Sequence, residues 1–282
     1  MKEIRSEIYF SVFVFFVLTI LFSVVIFFMT HILFSPHDAH KHEQDHEHIY
    51  IEPQEFARSD DQDLYSASES IAKNPISFRY IPDDLVDRSE AYGNALATFL
   101  YQDTLYAQIE DLSVEIHELA YKVRGNMRSK TLRLFGIFNM EVGEFLSVGI
   151  HEFAHYFDIY ILKKSVFRDV SEYFYEISWE STKVMQAGQE QGDFVSGYAM
   201  TNKYEDFAES YTYFVLHNND FRIKSAQSDI LRAKYDFFRR FVFREEEFFK
   251  TDFSVGNKIE KYYWDITKIG IDVKKLLRYL EK

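Results

Sequence analysis

The 282-residue chain contains no cysteine. That excludes disulfides, thiolate metal sites and cysteine-protease chemistry, while cysteine-free chains are compatible with either side of a bacterial membrane. It also lacks any excess of basic residues. The 32 Lys and Arg are outnumbered by 45 Asp and Glu, for a formal charge of -13, and no basic tract stands out, so no nucleic-acid partner is expected. Apolar residues are plentiful at 47%, with 29 Phe and 20 Tyr, which suffices for one sizeable globular domain with accessory segments.

Charge is missing altogether from Ile8 to Met29. As a helix, this stretch would span about 33 Å, enough for a bilayer core of about 30 Å. It is longer than the apolar region of a cleaved signal peptide and has no small-residue cleavage site around Phe34, Ser35 and Pro36, so residues 8–34 are expected to form a retained transmembrane signal anchor. Lys2 and Arg5 precede the span, whereas Lys41 alone follows closely. The positive-inside rule then places residues 1–7 in the cytoplasm and the rest of a single-pass cell-membrane protein outside it. Residues 35–74 carry His37, His40, His42, His46 and His48 among acidic residues, followed by the polar run Ser59 to Ser70. The expectation is a disordered stalk, with loose metal capture as the rival use of its histidines. Folded structure is expected over residues 75–282.

Within that region, Phe145 to Tyr160 reads FLSVGIHEFAHYFDIY and holds His151, Glu152 and His155 in an HExxH arrangement. On a helix, His151 and His155 lie one turn apart on one face and can meet one zinc ion, with Glu152 beside its water as general base. Phe145, Val148, Phe153 and Phe157 make the helix a buried one, and buried imidazoles need polar partners that a metal supplies. A catalytic zinc normally takes three protein ligands. A histidine six residues past His155 would complete one such set, but Ile161 stands there and Asp158 occupies the place of the accompanying glycine. The only later histidine is His217, which leaves a carboxylate among Glu172, Glu176, Glu180, Glu190, Glu205 and Glu209. The first three recur every four residues, as on a solvated helix face. Glu205 and Glu209 also lie one turn apart, but beside Phe207, Ala208, Tyr211 and Phe214. Glu205 could bind the metal while Glu209 accepts a proton from a ligating imidazole.

HEFAHYFD, followed after some 50 residues by GYAMTNKYEDFAESYTYFVLH, resembles the catalytic domain of the anthrax lethal factor family of gluzincins, which includes Pro-Pro endopeptidases. The resemblance covers about Phe145 to Leu216 and leaves out the large targeting domains of lethal factor. It implies Zn2+ held by His151, His155 and Glu205, Glu152 as general base, Tyr198 aiding the oxyanion and Glu209 supporting a ligand. A phenol seven residues before Glu205 is also a sensible donor to a developing oxyanion on chemical grounds alone.

The expected fold is α+β: a zincin-like metallopeptidase domain with a small mixed sheet, an HExxH helix and a helical C-terminal half, preceded by one transmembrane helix. Strands are expected at Ile76 to Ile81 and Thr131 to Phe138, with helices over Ala91 to Tyr101, from Glu144, and over Ser225 to Phe243. Leu105 to Val123 fits helical and strand periodicity alike, Arg124-Gly125-Asn126 reads as a turn, and His117 in HELAY is structural because Tyr121 replaces a second histidine. Thr131 to Phe138 is a candidate edge for an extended substrate. Val273 to Leu280 is expected to dock on its own domain in preference to a membrane surface. Together these features predict a membrane-anchored zinc endopeptidase acting on a peptide or protein substrate. The rival is a non-catalytic, membrane-tethered metal-binding or interaction protein on the same scaffold.

Overall fold

The computed structural model of the chain describes residues 74–164, 169–244, 246–256 and 262–281. The expected anchor over 8–34 and all of the stalk except Asn74 lie outside them. Among the described residues, no helix is long and apolar enough to cross a membrane.

Four strands form one sheet in the order β1-β2-β4-β3. β1 (Ile76–Ile81) and β2 (Leu112–His117) are parallel, with Ile76 opposite Leu112, and β2 is parallel to β4 (Thr131–Phe135), with Val114 opposite Leu132. Alternation settles the ambiguous segment in favour of a strand. Leu112, Val114 and Ile116 are buried on the core face, while Ser113, Glu115 and His117 take the other. Helical periodicity fails there because Leu119, which it would bury, is 79% exposed. His117 remains structural in surroundings, packed on the Phe135 ring at 4.7 Å.

The expected turn at Arg124 to Asn126 is instead the start of β3 (Gly125–Arg128), antiparallel to β4. The chain reverses at Ser129 and Lys130, both left-handed, which matches the twist of a tight hairpin. β4 therefore lies between β2 and β3, and the edge strands are β1 and β3, which decides the question of the edge that the sequence leaves open and removes Thr131 to Phe138 as a candidate. β4 also ends early, at Phe135, because Gly136 turns left-handed (φ 63°) into a 3-10 turn at Ile137–Asn139.

Helix α1 (Leu85–Arg88), α2 (Glu90–Leu100) and the single turn α3 (Asp103–Tyr106) occupy the connection from β1 to β2. The HExxH motif lies on α4 (Val142–Tyr156), which starts two residues before the expected Glu144. It packs on α2, β3 and β4 and is buried from Phe145 to Tyr156. Its last turns widen into a π-helix at Phe157–Ile161, a departure often found near functional sites. Asp158 is thereby buried, accepting a hydrogen bond from the Tyr175 hydroxyl.

The remaining helices are α5 (Val170–Ser178), α6 (Lys203–Leu216), α7 (Asn218–Ser225), α8 (Asp229–Phe241) and α9 (Val273–Leu280). The expected single helix from Ser225 is a break followed by α8. Ser228 caps α8 by accepting from Leu231 N at 3.1 Å, a bond the N-cap offers only outside the helix. Phe174, Phe207, Phe214 and Phe238 fill the space between α5, α6 and α8 with ring centroids 5.2 to 5.8 Å apart. α9 docks on the domain, burying Leu276 against its neighbours, and its Tyr279 hydroxyl oxygen accepts from Phe248 N at 2.6 Å.

Candidate metal centre

Two helices make the centre. α4 is held by burial of its whole C-terminal half, with His151 and His155 reaching Glu205 of α6 and Glu152 beside them turned toward β3. α6 begins where Asn202 accepts hydrogen bonds from Tyr204 N (2.9 Å) and Glu205 N (3.1 Å). That cap places Glu205 in the first helical turn and Glu209 one turn further on.

His151 Nε2 lies 3.1 Å and His155 Nε2 lies 3.4 Å from the same Glu205 Oε2. The two imidazoles are nearly perpendicular, with ring centroids 5.0 Å apart. One ligand atom from each of His151, His155 and Glu205 lies within 4.8 Å of the others, and all three residues are buried. Two imidazole nitrogens and one carboxylate oxygen, converging out of water, form the donor set that suits a tetrahedral zinc with one position left open. Without a cation this packing would be costly, because buried carboxylates need compensation. The metal fits the residues present.

The electrostatics agree. Burial opposes protonation of His151, yet Glu205 and Glu209 reverse this and hold its pKa well above the ordinary value. His155 is raised against the same burial penalty, chiefly by Glu205. Glu205 would be pushed up by burial but is pulled well below the usual carboxylate range by the two imidazoles. The centre is thus a region that favours positive charge. Burial raises Glu152, with His151 and His155 pulling against it. Tyr198 is raised strongly, by burial and then by Glu205, and so keeps its phenolic proton at neutral pH.

Glu209 is fully buried and touches three elements. Its Oε1 lies 3.0 Å from His151 Nδ1, and its Oε2 accepts from Ser196 Oγ at 2.6 Å and from Ile266 N at 2.9 Å. Tyr198 opens a 3-10 turn, and its ring centroid is 6.0 Å from that of His151. Its amide donates to Trp264 O at 2.6 Å. Glu152 faces β3 so closely that a Cβ on Gly125 would lie 2.7 Å from Glu152 Cγ.

All six predicted site residues are therefore brought to one place. The other candidate acids are elsewhere: Glu172 is half-buried and ion-paired with Lys203, Glu176 and Glu180 are exposed, and Glu190 caps a 3-10 turn at Gln191–Asp193. His217 is buried away from the centre, with Nδ1 2.9 Å from Ser254 Oγ. Sequence reasoning passed over Arg124, Ser196 and Asp265. Arg124 bridges Glu144 (2.8 Å) and Asp265 beside the Gly125 edge. Only Asp265-Ile266-Thr267 carried a local signal, since Asp265 caps a 3-10 turn through Thr267 N at 2.8 Å.

Residues 121–254, a little under half of the chain, match the family described as "Putative zinc-binding metallo-peptidase". No curated protein and no solved structure matches the chain. The matched segment holds the whole buried cluster, so family and geometry support the same coarse conclusion. At that general level both support a zinc-dependent peptidase on a mixed α/β domain, a class that acts on peptide or protein substrates.

Proposed function

We propose that the chain is a zinc endopeptidase of the gluzincin kind, similar in its site pattern to the lethal factor family. We further propose that the segment 8–34 anchors it in the cell membrane with the catalytic domain on the outer side. The observation that carries the peptidase reading is the convergence of His151 Nε2, His155 Nε2 and Glu205 Oε2 in one buried cluster beside Glu152. The anchor rests on the uncharged run from Ile8 to Met29 and on Lys2 and Arg5 before it.

In this reading His151, His155 and Glu205 hold the ion. When bound, zinc supplies Lewis acidity toward the scissile carbonyl and brings the pKa of a water in its open position down to about 7. Glu152, next to the ligands, takes a proton from the attacking water and returns it to the leaving amine, a task its raised pKa suits. Tyr198 keeps its proton and donates a hydrogen bond to the developing oxyanion. Glu209 holds the proton of His151 on Nδ1, leaving the Nε2 lone pair for the metal. The exposed side of β3 is the edge that suits an extended peptide, since Gly125 brings it against Glu152.

The test compares the full chain with Glu152→Gln. One zinc per chain in both proteins, with peptide cleavage by the first alone, is the expected result. Equal cleavage by both, or absence of zinc from the parent, would sink the reading.

A further inference from the structure

The chain has two tryptophans, and they are in opposite situations. Trp179 is 4% exposed and donates its indole N–H to Asp206 at 2.9 Å. Trp264 is 68% exposed, yet its backbone is held more firmly than an exposed loop residue needs to be. Ser196 and Tyr263 form a parallel bridge, Gly197 N donates to Tyr263 O at 3.0 Å, and Tyr198 N donates to Trp264 O. The next residue, Asp265, pairs with Arg124, and the following amide, of Ile266, donates to Glu209. Three consecutive residues thus touch three different walls of the metal centre: the Tyr198 turn, the start of β3 and the Glu209 support.

The side chain that this clasp presents is the indole. It lies over the backbone of Gly197, where a Cβ would come within 2.3 Å of its Cε3. Only glycine leaves room for the ring at this position, immediately before the Tyr198 whose ring neighbours His151. The six-membered ring of the indole lies against Gly197, and the residue as a whole is mostly open to solvent. Exposure of a single aromatic ring is ordinary in itself; what sets this one apart is that its backbone is tied to the Tyr198 turn and its neighbours to Arg124 and Glu209. A packing role does not account for it, because most of the ring buries nothing.

We propose that Trp264 forms the wall of a substrate subsite that selects a large apolar or aromatic side chain near the scissile bond. This rests on the peptidase reading above and adds the class of residue recognised. An indole face offers contact area and ring stacking to such side chains and little to glycine or to a carboxylate. It would act as a specificity residue, outside the proton transfers assigned to Glu152 and Tyr198.

The experiment measures kcat/KM of the full chain on two peptides that differ only in having Phe or Gly at the selected position, identified first by cleavage of a mixed peptide library. The ratio of the two is expected to fall about tenfold in Trp264→Ala, a discrimination typical of one apolar contact, and to be largely restored in Trp264→Phe. Zinc content should match the parent in both variants. In the Glu152→Gln protein, the Phe peptide should shield the exposed tryptophan from acrylamide quenching, and Trp264→Ala should abolish that shielding. Cleavage with an unaltered ratio would overturn the inference alone, as would an equal loss on both peptides, which would mark Trp264 as a support for Tyr198. No cleavage by the parent at all would overturn the peptidase reading and this inference with it.

Discussion

Glu209 Oε1 sits 3.0 Å from His151 Nδ1, while its other oxygen is held by Ser196 Oγ and Ile266 N. The carboxylate is thus held by groups outside the cluster, and in the proposed reading it orients His151 without itself binding the metal. Glu209→Gln removes the charge while nearly preserving shape. Zinc affinity should fall about 10- to 100-fold, the usual cost of losing such a partner, with the fold intact by circular dichroism. Chelator competition measures this, and an unchanged zinc affinity would show that Glu209 serves the Ser196 and Ile266 segments alone.

Under the proposed mechanism, Gly125 offers a way to separate metal binding from catalysis. A methyl group there would press on Glu152 Cγ at 2.7 Å, Glu152 Oε1 at 2.9 Å and Val148 Cγ1 at 2.9 Å. Gly125→Ala is expected to keep one zinc per chain and to lose on the order of 100-fold in kcat, since displacing a catalytic group by about 1 Å can cost that much. Peptide cleavage with zinc quantified in the same sample decides it.

Lys234 and Asp206 form a fully buried pair at 2.8 Å, with Lys234 Nζ also donating to Asp193 O at 2.9 Å and Trp179 donating to Asp206. Burial raises Asp206 and lowers Lys234, so each depends on the other to remain charged. Lys234→Met should destabilise the domain by about 3–5 kcal/mol through the unpaired carboxylate. The double change with Asp206→Asn should recover a large part of that. Thermal unfolding of the two variants distinguishes a strained pair from an inert one, for which the single change would be mild.

His217 predicts a pH dependence away from the metal. It is fully buried, and burial lowers its pKa against the opposing pull of Asp252. The unfolded chain binds the proton at about pH 6.5, whereas the folded state binds it only at lower pH. Its contribution is thus fully present above that value and is lost as pH falls from about 6.5 toward the folded pKa. In His217→Asn, melting temperature should decline less steeply than in the parent between pH 7.5 and 5. Parallel slopes would remove His217 from the account.

Much of the centre was legible because its signals are local. A spacing of four residues puts His151 and His155 on one face of any helix, and the same spacing pairs Glu205 with Glu209. Glu205 and Glu209 were distinguishable from the Glu172 series because their flanks are apolar on the side a helix would bury. The sheet was less legible. Leu105 to Val123 carries two periodicities, and only pairing with β1 and β4 decides between them. β3 was hidden because a four-residue strand with Gly and Asn at its start resembles a turn until a partner supplies its hydrogen bonds.

By itself, then, the sequence determined the HExxH helix, the acidic helix that answers it, zinc as the fitting metal and a mixed α/β domain to hold them. These follow from side-chain chemistry and helical repeat, which act over a few residues. Tertiary structure alone decided that β3 and not β4 lies at the edge, that Arg124 meets Asp265, and that Trp264 is set over Gly197 beside Tyr198. Those contacts join residues 67 to 141 positions apart, such as Arg124 with Asp265 and Gly197 with Trp264, and no local periodicity records which distant segments close on one another.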